Sequence, residues 1–220
     1  MAEQSLCKRK VGGSTPLLGS MDQQTIKTYN EIAAGYDDET KDFWERFPRT
    51  IIDRFAALAH GKILDVGSGP GRDGLILQEH GLEIVCLDAS EEMVKLSTQK
   101  GLVSVVGDFN ILPFQSGSFD GVWAYTSLLH VKKSEIGIAI GEIKRVLKVG
   151  GIFGLGMIEG EMEEYRESSG VGKPRLFSFY KKDELENILT HTGFEILYFE
   201  QFQPKSKNYL NFICRKTSIN

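Results

Sequence analysis

The sequence predicts an α/β fold with a mostly parallel sheet and helices on both of its faces. Three observations support this prediction. Short apolar runs alternate with amphipathic segments between residues 63 and 157, and a glycine-rich turn follows the first run. Near the end of the chain, two further apolar runs are joined by only a short polar loop. Alternating strands and helices favour parallel pairing, whereas a short connection favours an antiparallel pair.

Two helices are predicted ahead of the first strand. Residues 22–36 place Ile26, Tyr29, Ile32 and Ala33 at helical spacing. A second helix follows Pro48 and ends before Gly61, because proline is favoured in a first turn and glycine just past a helix end. Together these segments, residues 22–60, form a predicted helical lid.

The central elements follow from apolar runs and helix-ending glycines. The predicted strands are 63–66, 83–87, 102–106, 119–125 and 152–157. The predicted helices between them are 71–80, a segment from the N-cap Ser90 to Lys100, and 133–148. A helix over 182–192 then precedes an antiparallel pair, 194–200 with 208–214.

The composition is that of an ordinary globular protein. The 220 residues are 41% hydrophobic and 25% charged, which is enough for a core in one domain over 21–220. The net charge of -4 argues against a nucleic-acid partner. Residues 1–20 are polar and without periodicity, so we expect them to be a disordered extension.

The three cysteines, Cys7, Cys86 and Cys214, show neither paired spacing nor a zinc pattern, and Cys86 is predicted in the core. We therefore expect a reducing, cytoplasmic setting and no bound metal. No apolar stretch is long enough to insert in a membrane. A monomer or a homodimer is expected.

The most informative segment is the loop Gly67-Ser68-Gly69-Pro70-Gly71, which lies between a strand and a helix. Glycines there let a ligand approach the main chain closely. Gly69 to Gly74 also satisfies the G-x-G-x-x-G pattern of dinucleotide-binding proteins, so NAD is one candidate ligand. S-adenosylmethionine is the other, and the glycines alone do not decide between them.

Three acids at successive strand ends favour S-adenosylmethionine. Asp88 stands where an acid accepts both ribose hydroxyls, which serves either ligand. Asp65 lies close to where an amino-acid ammonium would lie, and NAD has no ammonium. Asp108 can accept from an adenine amino group, with the ring of Phe109 beside the base. Either Asp65 or Asp108 alone could instead cap a helix or hold a loop.

Residues 25–157 resemble class I S-adenosylmethionine-dependent methyltransferases, of the small-molecule type similar to ubiquinone and menaquinone C-methyltransferases. The matching motifs are Asp65 to Gly71, Leu87-Asp88, Gly107-Asp108-Phe109, Phe119 to His130 and Ile143 to Gly151, with Val149 where the family usually has proline. The resemblance implies a Rossmann-like seven-stranded sheet whose last strand is antiparallel. It also implies methyl transfer from S-adenosylmethionine to a small molecule, leaving S-adenosylhomocysteine.

The candidate site residues combine this resemblance with the reading of the loop. The candidate cofactor-binding residues are Tyr36, Asp65, Gly67, Ser68, Gly69, Asp88, Ala89, Met93, Asp108, Phe109 and Tyr125. His130, in the loop after the fourth strand, is a candidate general base. Residues 158–181 are a candidate wall of the substrate pocket, in which Arg175 lies among aromatic residues. For the structure of this segment we favour an exposed acidic helix followed by a packed aromatic hinge.

Two other functions remain open at this point. A non-catalytic module would bind the cofactor without turnover. An NAD-dependent dehydrogenase would need a substrate domain that a chain of this length leaves little room for.

Overall fold

A seven-stranded sheet organises the computed structural model, which describes residues 21–167, 172–204 and 206–218. The helices are α1 (Gln23–Thr40), α2 (Phe43–Arg46), α3 (Thr50–Leu58), α4 (Arg72–Glu79), α5 (Glu91–Gln99), α6 (Ile136–Val146) and α7 (Lys182–His191). The strands are β1 (Lys62–Val66), β2 (Glu83–Asp88), β3 (Val103–Val106), β4 (Phe119–Tyr125), β5 (Leu147–Ile158), β6 (Glu163–Glu167), β7 (Pro174–Ser178), β8 (Phe194–Phe202) and β9 (Tyr209–Lys216).

The strand order in the large sheet is β3-β2-β1-β4-β5-β9-β8. Strands β1 to β5 are parallel, and β9 runs antiparallel to both of its neighbours. The predicted Rossmann-like sheet with an antiparallel last strand is therefore confirmed. The order reverses between β1 and β4, and ligands of open α/β sheets bind beyond the strand ends at such a point.

The core is packed on both faces of the central strands. Phe55 of α3 lies 5.0 Å from the ring of Trp123 on β4, and both side chains are fully buried. Gly154 on β5 makes room for that indole, because a Cβ there would stand 2.4 Å from Trp123. Cys86 and Cys214 are buried free thiols, so the prediction that Cys86 belongs to the core is confirmed.

Two predicted boundaries near β5 were wrong. The helix predicted over 133–148 ends at Val146. The strand predicted over 152–157 begins earlier, at Leu147, which pairs with Phe119 of β4. Leu147 fits the helical spacing of the buried isoleucines before it, but its pairing with the sheet overrides that spacing. The short helix α2 was not predicted, because four residues carry no periodicity.

The segment 158–181 is not an acidic helix. It contains an antiparallel pair, β6 with β7, in which Arg166 faces Arg175. The side of β7 that packs inward buries Leu176 and Ser178, while β6 is largely exposed. Glu163, Glu164 and Glu167 therefore lie on an outer strand.

Residues 1–20, with their predicted disorder and Cys7, lie outside the described residues. None of the helices within the described ranges is long and apolar enough to cross a membrane.

Candidate active site

A cavity with about 720 Å³ of empty space lies at the carboxyl ends of β1, β2 and β4, beneath α1. It gathers most of the predicted cofactor residues into one place. Those that line it are Tyr36, Asp65, Gly67, Ser68, Gly69, Asp88, Ala89, Met93, Phe109 and Tyr125, together with His130.

The glycine loop forms the floor of this cavity. Gly67, Gly69 and Gly71 have φ values of 71°, 53° and 84°, which favour glycine. The N–H groups of Gly67 and Ser68 both donate to the carbonyl of Leu87, which fixes the turn against β2. The loop is thus held by main-chain bonds.

Asp65 is a buried acid, and one of its carboxylate oxygens is not hydrogen-bonded. Its side chain is 2% exposed, and its Oδ2 has no hydrogen-bond partner among the described residues. Burial, together with the nearby charge of Asp73, raises the pKa of its carboxyl well above the ordinary value. Buried polar atoms are normally paired, so the unpaired oxygen of Asp65 suits a ligand that donates a hydrogen bond to it.

Asp88 is held rigidly at the end of β2. Its Oδ2 accepts from the Gly69 N–H and its Oδ1 from the Ser90 N–H, each at 2.8 Å. Burial raises the pKa of this carboxyl to about 6, despite these hydrogen bonds. The remaining acceptor positions on the two oxygens are available to ligand hydroxyls.

Asp108 does not line the cavity. Its Oδ2 accepts from the Met21 N–H at 2.9 Å, and its Oδ1 from the Asn110 N–H at 2.8 Å. Its expected contact with an adenine amino group therefore stays a prediction. Phe109 and Met93, in contrast, are buried and form an apolar wall of the cavity.

A polar cluster beside the loop was not predicted. Asp73 Oδ1 accepts from Trp44 Nε1 at 2.7 Å and from Arg72 Nε at 2.6 Å, while its Oδ2 accepts from Trp123 Nε1 at 2.9 Å. Arg72 and Asp73 line the cavity. The cluster joins three distant parts of the chain, so sequence spacing gives no signal for it.

His130 is buried and engaged at both ring nitrogens. Its Nδ1 lies 2.6 Å from the carbonyl oxygen of Leu176, which can only accept, so Nδ1 carries the proton. Its Nε2 lies 2.7 Å from the phenol oxygen of Tyr29 and therefore accepts the phenol proton. Arg175 Nη1 donates to the same phenol oxygen at 2.8 Å. Burial lowers the pKa of His130 to about 3, so the imidazole is neutral at pH 7.

The end of β4 is strained where it meets the cavity. Thr126 has a φ of 53°, an unfavourable value for a β-branched residue. Its N–H donates to the carbonyl of Gly156, and its neighbour Tyr125 stacks on Trp123 and Tyr209. Such strain is characteristic of functional sites. No group of three or more His, Cys, Asp or Glu placed to hold a metal is present in the described ranges.

Comparison with known proteins finds similarity to methyltransferases. Residues 64–155 match the family model described as a methyltransferase domain. The O-methyltransferase rstn1 of Aspergillus nomiae is 25% identical over 89% of this chain and 96% of its own length. The demethylmenaquinone methyltransferase of Renibacterium salmoninarum is 30% identical over 57% of each chain.

A solved structure of the same fold is the 1,6-didemethyltoxoflavin-N1-methyltransferase of Burkholderia thailandensis, with 1,6-didemethyltoxoflavin and S-adenosylhomocysteine bound. It superposes with a TM-score of 0.65 at 20% identity, over 94% of each chain. These matches favour the methyl-donor interpretation of the glycine loop over the dinucleotide one. Residues 64–155 therefore form a methyltransferase domain of the S-adenosylmethionine-dependent kind.

Proposed function

We propose that this methyltransferase acts on a small-molecule acceptor and holds its methyl donor in the cavity above the glycine loop. The observation that carries the proposed donor site is the unpaired Oδ2 of Asp65, a buried carboxylate oxygen of a residue that lines the cavity. Leaving such an atom unpaired costs about 1–3 kcal/mol or more, so a ligand that donates to it is strongly favoured. The ammonium of S-adenosylmethionine is such a donor.

The chemistry of the lining residues fits the three parts of that molecule. Met93 and Phe109 offer an apolar wall for the adenine, and Asp88 offers carboxylate oxygens to the ribose hydroxyls. Asp65 and the loop around Gly69 would receive the amino-acid end. Nothing lies within 4 Å of a Cβ placed on Gly69, so this part of the loop has the open space that a ligand needs.

When bound, the donor supplies a methyl group that its sulfonium already activates. The protein's task is then to align an acceptor and to exclude water, and positioning alone supplies roughly 7–11 kcal/mol of the barrier. Tyr36 and Tyr125 lie on the cavity wall and would border the transferred methyl group. We therefore propose them as positioning residues.

The geometry around His130 favours a different role from the one expected. A general base must take up a proton, but Nε2 is already engaged by Tyr29, and a pKa of about 3 makes the imidazole a weak base at pH 7. We propose that His130 fixes the phenol of Tyr29, which itself lines the cavity. Acceptors that need no deprotonation by the protein, such as amines, thiolates and carboxylates, suit this arrangement.

The acceptor side of the cavity would be closed by α1 and by the hairpin of β6 and β7. Tyr29 comes from α1, and Arg175 and Leu176 come from β7. Small-molecule acceptors are supported by the names of the relatives, which include a demethylmenaquinone methyltransferase. We retain as proposals a single domain over 21–220, a monomer or homodimer, a cytoplasmic location and no nucleic-acid partner, on the composition and the net charge of -4.

A thermal shift measurement tests the proposed donor site. At a ligand concentration of about 100 times Kd, S-adenosylhomocysteine should stabilise the protein by roughly 2.7 kcal/mol. For a chain of this size that corresponds to roughly 2–4 °C for each kcal/mol. S-adenosylmethionine should act similarly and NAD should not. A shift with NAD alone, or with none of the three, would contradict the proposal.

One variant tests ligand binding, and an activity screen of the wild type tests turnover. Asp88→Ala should keep the fold but lose measurable affinity for S-adenosylhomocysteine in calorimetry, because it removes the ribose acceptor. If the wild type binds the ligand but methylates no acceptor in a broad small-molecule screen, the alternative of a non-catalytic module is favoured instead.

A further inference from the structure

We propose that Arg72 binds the carboxylate of the methyl donor, so that Arg72 and Asp65 together recognise its amino-acid end as a zwitterion. This inference rests on the proposed function and adds to it a residue outside the matched acid motifs. It also explains why a cationic side chain stands at the start of α4, directly after the glycine loop.

The guanidinium of Arg72 is fixed at one edge. Its Nε donates to Asp73 Oδ1 at 2.6 Å, and Asp73 is in turn held by the indole N–H groups of Trp44 and Trp123. The three donors occupy both oxygens of Asp73. Since the carboxylate is held from three directions, the arginine that binds to it is held in one orientation too.

The guanidinium is also packed against an aromatic ring. Its central carbon lies 4.4 Å from the ring centre of Phe43, in a cation–π arrangement. Within the part of the chain that the structure describes, its Nη1 and Nη2 donate no hydrogen bond, and Arg72 lines the cavity. A fork of two N–H donors held in this way matches a carboxylate.

The position of Asp65 indicates which carboxylate is bound. An α-amino acid carries its ammonium and its carboxylate on one carbon, so the groups that recognise them must be neighbours. Asp65 and Arg72 line the same cavity and flank the same loop, and the charge of Arg72 acts to lower the pKa of the Asp65 carboxyl. The two side chains thus offer a hydrogen-bond acceptor for the ammonium and a fork of donors for the carboxylate at the amino-acid end.

The test compares three ligands on the intact protein by calorimetry. They are S-adenosylhomocysteine, its decarboxylated analogue, which keeps the amine, and 5′-methylthioadenosine, which lacks both charges. The wild type should bind S-adenosylhomocysteine more tightly than the analogue. In Arg72→Met the affinity for S-adenosylhomocysteine should fall about 10- to 100-fold, the range expected for charge-assisted hydrogen bonds. Affinity for the other two ligands should stay within about twofold of the wild type.

The matched control is Arg215→Met, an exposed arginine at the opposite end of the sheet, which should bind all three ligands as the wild type does. Arg72→Lys keeps the charge without the fork and should lose part of the affinity for S-adenosylhomocysteine; it also serves if Arg72→Met does not fold.

Two results would overturn the inference. One is equal wild-type affinity for S-adenosylhomocysteine and its decarboxylated analogue, which needs no variant. The other is a folded Arg72→Met or Arg72→Lys variant with unchanged affinity for S-adenosylhomocysteine. If the wild type binds none of the three ligands, the proposed donor site itself fails, which is a different outcome.

Discussion

Gly67 and Gly69 occupy the same loop, but for different physical reasons. A Cβ on Gly67 would stand 2.3 Å from the Cβ of Ser127, so this glycine is required by packing inside the protein. A Cβ on Gly69 would meet nothing within 4 Å and would instead project into open space. Only the second glycine leaves room that a ligand can use.

We therefore expect Gly69→Ala to fold and to lose affinity for S-adenosylhomocysteine by more than tenfold. Its stability should fall by about 1–2 kcal/mol, because its φ of 53° is unfavourable for alanine. Gly67→Ala should be far less stable, since neither Ser127 nor Phe109 can move away cheaply. Urea unfolding and calorimetry measure the two effects.

Gly81→Ala is the matched control, because Gly81 has a φ of 82° and open space around it, and it does not line the cavity. It should show a similar loss of stability with unchanged ligand affinity. Equal ligand affinity in Gly69→Ala and Gly81→Ala would mean that Gly69 does not border the donor.

Single residues also show what the sequence could and could not reveal about the site. Asp65 and Asp88 were predicted because each lies at the carboxyl end of a strand, and strand ends of a parallel sheet converge. Arg72 and Tyr29 were not assigned roles in donor recognition or proton positioning. Their contacts depend on Asp73 meeting Trp44 and Trp123, and on Tyr29 meeting His130, across 29 to 101 residues of chain. No local pattern encodes such distances.

At the scale of elements, helix α1 is joined to strand β7 through several hydrogen bonds. The Leu176 N–H donates to the Thr25 hydroxyl at 2.9 Å, and the Thr28 hydroxyl donates to the carbonyl of Pro174 at 2.8 Å. The Tyr29 phenol adds the bond from Arg175. Periodicity could not predict this pairing, because it depends on hydroxyl groups on the buried side of α1. The strand β7 was mistaken for an aromatic hinge for the same reason.

Thr25→Val should loosen α1 and β7 together. The substitution leaves the buried Leu176 N–H without its acceptor, which should cost about 1–3 kcal/mol of stability. Hydrogen exchange should therefore accelerate in both elements, and less in β1 and β4. Thr98→Val changes an exposed threonine that bonds only within α5, so it should leave exchange in α1 and β7 unaltered. Faster exchange confined to α1 would show that the two elements are not coupled.

At the scale of the whole molecule, the order and direction of the strands were largely predictable, because buried parallel strands and glycine-ended helices leave clear patterns. The C-terminal antiparallel pair was predictable from its short loop. The positions of the lid and of the hairpin over the cavity were less predictable, because they depend on tertiary contacts to the sheet, above all on those of His130. That residue bridges β7, α1 and the loop after β4.

This bridge should make global stability depend on pH. The folded-state pKa of His130 is lowered to about 3, against 6.5 for an ordinary histidine, because the imidazole is buried. The contribution of His130 to stability is therefore complete above pH 6.5. It is lost as the pH falls from 6.5 toward 3, because in this range the unfolded chain binds the proton and the folded chain does not.

The non-titrating variant His130→Asn should lack this loss. From pH 6.5 to pH 5, the unfolding free energy of the wild type should fall about 1.5–2 kcal/mol further than that of the variant. The difference between the two proteins cancels every other titrating group, so urea unfolding at several pH values measures the histidine alone. Parallel curves would mean that His130 is accessible to protons in the folded protein, and they would restore it as a candidate general base.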